Sequence, residues 1–191
     1  MIRKFISRVF GRKTTGTPSD PATIGVGKHG IRRDALSSGS RRTVETLQQH
    51  GYKAFVVSGA VRDLLAGIKP KDYDVATSAT PEQVRHCFRR SRIIGRRFQI
   101  VHVMMGAETI EVTTFRGHHD EQSGSKAQTD AQGRVLRDNV FGNQQEDAAR
   151  RDFTVNALYY DPTAETIIDY HHGVADLKQK TLRMIGDPRT R

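Results

Sequence analysis

The chain has 191 residues, a net charge of +10 at pH 7 and a hydrophobic fraction of 36%. This length is enough for one domain with its own core. The positive charge favours a polyanionic partner, such as nucleic acid, a nucleotide or an anionic membrane; a basic surface that is merely solvated is the alternative. The single cysteine, Cys87, excludes an internal disulfide and a cysteine-based zinc site, and it suits a reducing, cytoplasmic location.

The first 35 residues are predicted to form a basic, flexible arm and linker. Residues 1–19 contain no acidic residue, and apolar side chains recur there at helical spacing. We therefore expect residues 1–13 to form an amphipathic helix that contacts a membrane surface or RNA, with a frayed basic arm as the alternative. Residues 25–30 match G-x-G-x-x-G but lack the strand and helix that a dinucleotide site requires, so a flexible linker is predicted.

Residues 36–191 are predicted to form one α+β domain without internal repeats. Periodicity and capping signals predict helices at 40–50, 61–66, 81–88, 144–152 and 174–178. Short apolar or alternating runs predict strands at 54–57, 73–77, 98–105, 109–115, 166–170 and 181–185, while 153–160 is either a strand or a buried helix. Thr80, Pro81 and Gln83 mark the clearest helix start, with an N-cap, a proline in the first turn and a capping-box residue.

Arginines cluster in and after the helix that begins at residue 81. They are Arg85, Arg89, Arg90, Arg92, Arg96 and Arg97. Such a cluster fits contact with the phosphate backbone of a nucleic acid, and a solvated basic face is the alternative.

Two carboxylates close a strand–turn–helix–strand stretch at residues 56–75. Asp72 and Asp74 are two positions apart, so on a strand their side chains point to the same face. Side-by-side carboxylates repel each other unless a cation lies between them, and hard oxygen ligands of this kind suit Mg²⁺. Gly59 lies in the turn that opens the short helix, where backbone N–H groups can meet a phosphate. The stretch therefore predicts a site for a metal and a nucleotide.

Glu111 is the one acidic residue in the apolar strand predicted at 109–115. It is either exposed on a free face or pointed at the metal. The phosphate-binding sequence G-x-x-x-x-G-K-[ST] occurs nowhere in the chain, which argues against P-loop chemistry.

Four ordered motifs together resemble a known family. They are S-G-A-V-R-D at 58–63, D-Y-D at 72–74, I-E-V-T-T-F-R at 110–116 and E-D-A-A-R-R-D-F-T-V-N-A-L-Y-Y at 146–160. Over roughly residues 40–191 the chain resembles the bacterial poly(A) polymerases and class II CCA-adding enzymes of the polymerase-β nucleotidyltransferase superfamily. The resemblance implies an α+β head, or palm, with a small mixed sheet and helices packed on one face. Residues 95–103, 115–119 and 136–142 look more like the poly(A) polymerase branch.

The resemblance also implies an activity. An RNA 3′-end adenylyltransferase adds AMP from ATP to an RNA 3′-hydroxyl and releases pyrophosphate, with two Mg²⁺ ions at the site. CCA addition to tRNA is the alternative within the enzyme class. A catalytically silent head that binds RNA or nucleotide is the alternative outside it. RNA 3′ ends and ATP are the expected partners.

The same resemblance assigns roles to residues of this chain. Asp72, Asp74 and Asp152 are the expected catalytic residues, and Glu111 would join Asp72 and Asp74 as a metal ligand. The nucleotide would be held by Ser58, Gly59, Ala60, Arg62, Asp63, Arg151 and Asn156. For Asp152, a helix-end acid paired with Arg150 or Arg151 is the alternative.

This chain departs from the family pattern at two places. The family has glycine where this chain has Ser58, at a turn where backbone approaches phosphate. Family members also continue into a helical neck that helps to select the base and into RNA-binding helical domains. These are expected to be absent here, so the choice between ATP and CTP is not set by the head alone.

Overall fold

The computed structural model describes residues 20–96, 98–117, 128–129, 135–137 and 140–187. The strands are β1 (Ala22–Gly25), β2 (Ala54–Val57), β3 (Asp74–Thr77), β4 (Ser91–Ile94), β5 (Ile100–Met105), β6 (Glu108–Thr114), β7 (Gln128–Thr129), β8 (Val135–Arg137), β9 (Leu158–Asp161) and β10 (Thr166–Asp169). The α-helices are α1 (Val26–His29), α2 (Ser38–Gln49), α3 (Gly59–Leu65), α4 (Pro81–Cys87), α5 (Gln144–Ala149) and α6 (Gly173–Lys178), with short 3₁₀ turns at Arg33–Ala35 and Thr154–Asn156.

Among the described residues, eight strands form one mixed sheet in the order β1-β10-β9-β2-β3-β6-β5-β4. Neighbouring strands are antiparallel except for β3 and β6, which run parallel. The separate β7–β8 pair is antiparallel. The predicted α+β class is confirmed. The parallel pair places Asp74, the first residue of β3, beside Glu111 in the middle of β6.

The two faces of the sheet carry separate apolar clusters, because successive side chains of a strand point to opposite faces. Val56 and Val75 belong to the larger cluster, which α2 and α4 cover. Val57 and Phe115 belong to a smaller cluster on the other face, completed by Ala148 of α5. Each fully buried valine contributes about 1.5–3 kcal/mol to stability. The larger cluster therefore anchors the domain, and the second face is left partly open for a site.

Local chemistry explains where α4 begins. The Thr80 side chain accepts a hydrogen bond from the Gln83 N–H, and the Gln83 side chain accepts one from the Thr80 N–H. Pro81 occupies the first turn, where a missing N–H costs nothing. This start was predicted from the sequence and is confirmed.

The structure corrects the interpretation of residues 20–35 as linker. Residues 22–25 form the edge strand β1, which pairs antiparallel with β10, and residues 26–29 form a helical turn. Ile31 is 4% exposed and packs into the larger cluster. The G-x-G-x-x-G segment is therefore part of the folded domain, although it forms no dinucleotide fingerprint. The predicted membrane-contacting segment, residues 1–13, lies outside the described residues.

Other boundaries also differ from the prediction. β3 begins at Asp74, so Asp72 lies in the segment before the strand and the argument from strand alternation does not apply to it. β4 was missed, because its Arg92 was interpreted only as part of a basic cluster. Residues 181–185 do not form a strand; Met184 makes one isolated bridge to Phe153. Within the described part of the chain, no helix is long and apolar enough to cross a bilayer.

Candidate active site

Asp74 and Glu111 lie side by side where β3 begins. They are direct Cα partners in the parallel β3–β6 ladder, so their side chains share a face. Burial raises the pKa of the Asp74 carboxyl, the nearby Glu111 and Asp72 carboxylates raise it further, and the positive charge of Arg151 opposes them. The structure therefore brings the three predicted acids into one electrostatic neighbourhood, in which the ionised form of Asp74 is disfavoured.

The three acids do not form a ready-made metal cage. Across the described residues, no group of three or more His, Cys, Asp or Glu side chains is placed to hold an ion. Glu111 is half exposed and lies 3.3 Å from His102 Nε2. The donor chemistry nevertheless fits Mg²⁺, which commonly takes one or two carboxylates together with substrate phosphates and water. Asp74, crowded by like charge, is the carboxylate that a cation would relieve most.

The turn before α3 has an unusual backbone. Ser58 has φ 61° and ψ −135°, a combination that glycine adopts far more readily than any other residue. Its hydroxyl accepts a hydrogen bond from Arg151 Nη1 at 2.5 Å. Gly59 then begins α3, and Ala60 is buried. The first N–H groups of a helix have no intrahelical acceptor, so this turn can offer backbone donors to an anion.

A series of polar side chains connects α3 to the 3₁₀ turn at Thr154–Asn156. Arg62 donates to Asp63 Oδ1 at 2.9 and 3.1 Å and to Asn156 Oδ1 at 2.8 Å. Asn156 in turn donates to Asp152 Oδ1 at 3.2 Å. The predicted residues Arg62, Asp63, Asn156 and Asp152 are thus connected. Asp152 contacts neither Arg150 nor Arg151 in the hydrogen bonds and ion pairs of the described residues; its Oδ1 also accepts from the Phe153 N–H.

Arg151 is held from the other side by two residues that the sequence analysis missed. Its Nη2 lies 2.9 Å from Asp147 Oδ2, and its Nε donates to the Tyr159 hydroxyl at 3.0 Å. Tyr159 donates to the same Asp147 oxygen at 2.7 Å. Burial raises the pKa of Tyr159 far above its usual value, so the phenol remains a donor. In the sequence, Asp147 is an acid in a short predicted helix, which indicates a surface position, and Tyr159 lies in an apolar run, which indicates the core. Neither pattern by itself indicates a role in the site.

A pocket of about 220 Å³ adjoins this arrangement. It is lined by Thr113, Arg116, Asp147, Arg150 and Arg151. Its lining contains three guanidinium groups and one carboxylate, a composition that suits a phosphate-bearing ligand.

Comparison with known proteins places this arrangement in a family. Residues 54–183 match the family described as Poly A polymerase head domain. The chain is 50% identical over 166 residues to poly(A) polymerase I of Salmonella typhimurium, covering 86% of this chain and 36% of that protein. It is 39% identical over 150 residues to a CCA-adding enzyme of Lactobacillus helveticus, covering 78% of this chain and 35% of that protein.

A solved structure agrees with the fold. The Bacillus stearothermophilus CCA-adding enzyme in complex with CTP is 33% identical, with a TM-score of 0.63 over 82% of this chain and 36% of that one. The chain thus spans about a third of the length of the relatives that it matches. The polymerase-β-like fold and the family inferred from the motifs are both confirmed. The chain belongs to the poly(A) polymerase head-domain family.

Proposed function

We propose that this domain is the catalytic head of an RNA 3′-end adenylyltransferase. The observation that carries the proposal is the convergence at Asp74 of Glu111, Asp72 and the Arg151 charge, beside the Ser58 turn. Carboxylates on one side and guanidinium groups on the other are what transfer from a nucleoside triphosphate requires. The likeness to poly(A) polymerase I supports ATP as the nucleotide.

Asp72 and Asp74 would hold two Mg²⁺ ions, with Glu111 as a third ligand. Bound magnesium makes a hydroxyl more acidic and neutralises phosphate charge. Because Asp74 is crowded by like charges, its carboxylate is poised to accept a cation that arrives with the nucleotide. Glu111 contacts His102 through Oε1 alone, and its half-exposed side chain leaves Oε2 for the site.

The remaining residues bind and orient the substrates. Arg151 and the backbone N–H groups at Ser58, Gly59 and Ala60 would meet the triphosphate, with Arg62 and Asp63 at the next turn of α3. Asn156, held by Arg62, would contact the ribose, and Asp152 fixes the Asn156 amide from the opposite side.

In the reaction, the RNA 3′-oxygen forms a bond to the α-phosphorus as the bond to the β-phosphate oxygen breaks. Pyrophosphate leaves, and the hydroxyl proton passes to solvent. The protein's contribution is positioning and charge stabilisation, which account for most phosphoryl-transfer catalysis.

Primer extension tests the proposal. The 191-residue chain is incubated with Mg²⁺, a 3′-hydroxyl RNA and one nucleoside triphosphate at a time, with a 3′-deoxy primer as the control. Successive additions from ATP alone, absent with the 3′-deoxy primer, support adenylyl transfer. Addition from CTP, followed by addition from ATP only when CTP has been supplied first, would indicate CCA addition. The solved relative in complex with CTP makes this the second candidate. Binding of ATP and RNA without any turnover would indicate a silent binding head and would refute the proposal.

A further inference from the structure

Arg151 is the most constrained cation beside the Ser58 turn. Its side chain is 16% exposed, although it follows the end of α5 rather than lying inside it. Three of its nitrogens are engaged: Nη1 with Ser58, Nη2 with Asp147, and Nε with Tyr159 and Asp147. A long, flexible side chain normally samples many rotamers, so this degree of restraint needs a cause.

Asp147 supplies most of the restraint. Its Oδ2 accepts from Arg151 and from the Tyr159 hydroxyl, while its Oδ1 accepts from the Arg116 N–H at 3.0 Å. Arg116 lies two residues after the end of β6, the strand that carries Glu111. One carboxylate on α5 therefore connects Arg151 to the strand that carries an acid of the site.

Tyr159 supplies the rest. The residue is fully buried in β9, and its ring centre lies 5.1 Å from the Arg151 guanidinium carbon. The hydroxyl accepts from Arg151 Nε and donates to Asp147, so both of its hydrogen-bonding functions are used. Val57, the cross-strand partner of Tyr159, directly precedes Ser58. Tyr159 and the Ser58 turn therefore lie on the adjacent strands β9 and β2, and this pairing fixes their relative position.

We propose that Asp147 and Tyr159 are positioning residues that hold the Arg151 guanidinium at the Ser58 turn, where it meets a phosphate of the incoming nucleotide. The proposal rests on the proposed function, because it assigns Arg151 to the nucleotide. Neither residue touches substrate; both act through Arg151. The competing account is that the three residues only stabilise the fold.

The test compares Asp147→Asn, Tyr159→Phe and Arg151→Lys in the complete 191-residue chain. The first two variants keep the shape of the side chain, and the third keeps the charge but removes the planar fork. We expect the dissociation constant of Mg·ATP, measured by calorimetry, to rise about tenfold in each, while the affinity for RNA stays within about twofold. Asp169→Asn is the matched control. It removes the charge of another buried carboxylate, which accepts three backbone N–H bonds, and should lower the unfolding midpoint without changing ATP affinity.

Combined variants distinguish positioning from general stabilisation. If Asp147 acts through Arg151, Asp147→Asn should weaken ATP binding no further in an Arg151→Lys background. Additive losses, or an equal loss of ATP affinity in Asp169→Asn, would overturn the proposal. Because the measurement is binding, it remains informative if the wild type binds ATP but transfers no AMP, in which case only the proposed function fails. A wild type that does not bind Mg·ATP would overturn both.

Discussion

Replacing Ser58 by alanine and, separately, by glycine separates backbone strain at the turn from the hydrogen bond that the serine makes. Ser58 has φ 61° and ψ −135°, which costs a non-glycine residue about 1–3 kcal/mol. Both replacements remove the hydroxyl that contacts Arg151, at a cost of about 1.5–3 kcal/mol for a bond to a charged group. The two variants therefore differ only in the β-methyl group and in the backbone conformations that it restricts.

Glycine relieves the strain but adds about 0.5–1 kcal/mol of backbone entropy relative to alanine. We therefore expect Ser58→Gly to be more stable than Ser58→Ala by about 1 kcal/mol. Equilibrium urea unfolding of both variants, with unchanged m-values, measures the difference. The control is Arg42, exposed inside α2, where alanine should be more stable than glycine by about 1 kcal/mol. If alanine is also the more stable residue at position 58, the turn is not strained and the reasoning fails.

Two further predictions concern charge. Asp176→Asn should destabilise the domain at pH 7, because hydrogen bonds from Arg183 and Thr154 lower the pKa of the buried Asp176 carboxyl. The resulting stabilisation is present above the unfolded-state pKa of this carboxyl and is lost as pH falls through its lower folded-state pKa. Thermal melts of variant and wild type should therefore converge in acid. Convergence at high pH instead would contradict the sign. Replacing the exposed Arg89 and Arg90 by glutamine should weaken RNA binding regardless of sequence and reduce the slope of log K against log salt by about one for each arginine that binds a phosphate. An unchanged slope would show that they are merely solvated.

Elements whose signals are local could be predicted from the sequence. The α4 start depends on Thr80, Pro81 and Gln83, which act on one another within a single turn. The strand at 54–57 was also predicted with its observed bounds, because a fully buried strand shows as a continuous apolar run.

Elements held by tertiary pairing could not be predicted. β1 follows Pro21 and has a weak strand sequence. It forms because it pairs with β10 and because Ile31, in the chain that follows, packs into the larger cluster. β4 is an edge strand whose partner is β5, so its exposed Arg92 is tolerated there. Propensity alone carries no information about such partners.

The site was predictable in part, because some of its residues stand in local motifs and others meet only through tertiary contacts. Asp74, Arg62, Asn156 and Arg151 stand in motifs, and the structure brings them together around α3 and the start of β3. Their supports, Asp147 on α5 and Tyr159 on β9, meet only in the tertiary structure, where the Tyr159 hydroxyl donates to Asp147 Oδ2. The backbone strain at Ser58 is equally invisible in sequence, although glycine at this place in the family was a signal of it.

The most direct test of the central claim is the rate of AMP addition to an RNA primer by Asp74→Asn compared with the wild type. The asparagine keeps the shape of the side chain but removes the charge that would hold the metal, so we expect the rate to fall at least about a hundredfold. The unfolding midpoint should be unchanged or higher, because the crowding by Glu111 and Asp72 is relieved. A well-folded variant that still adds AMP at the wild-type rate would contradict the assignment of Asp74 to the reacting centre.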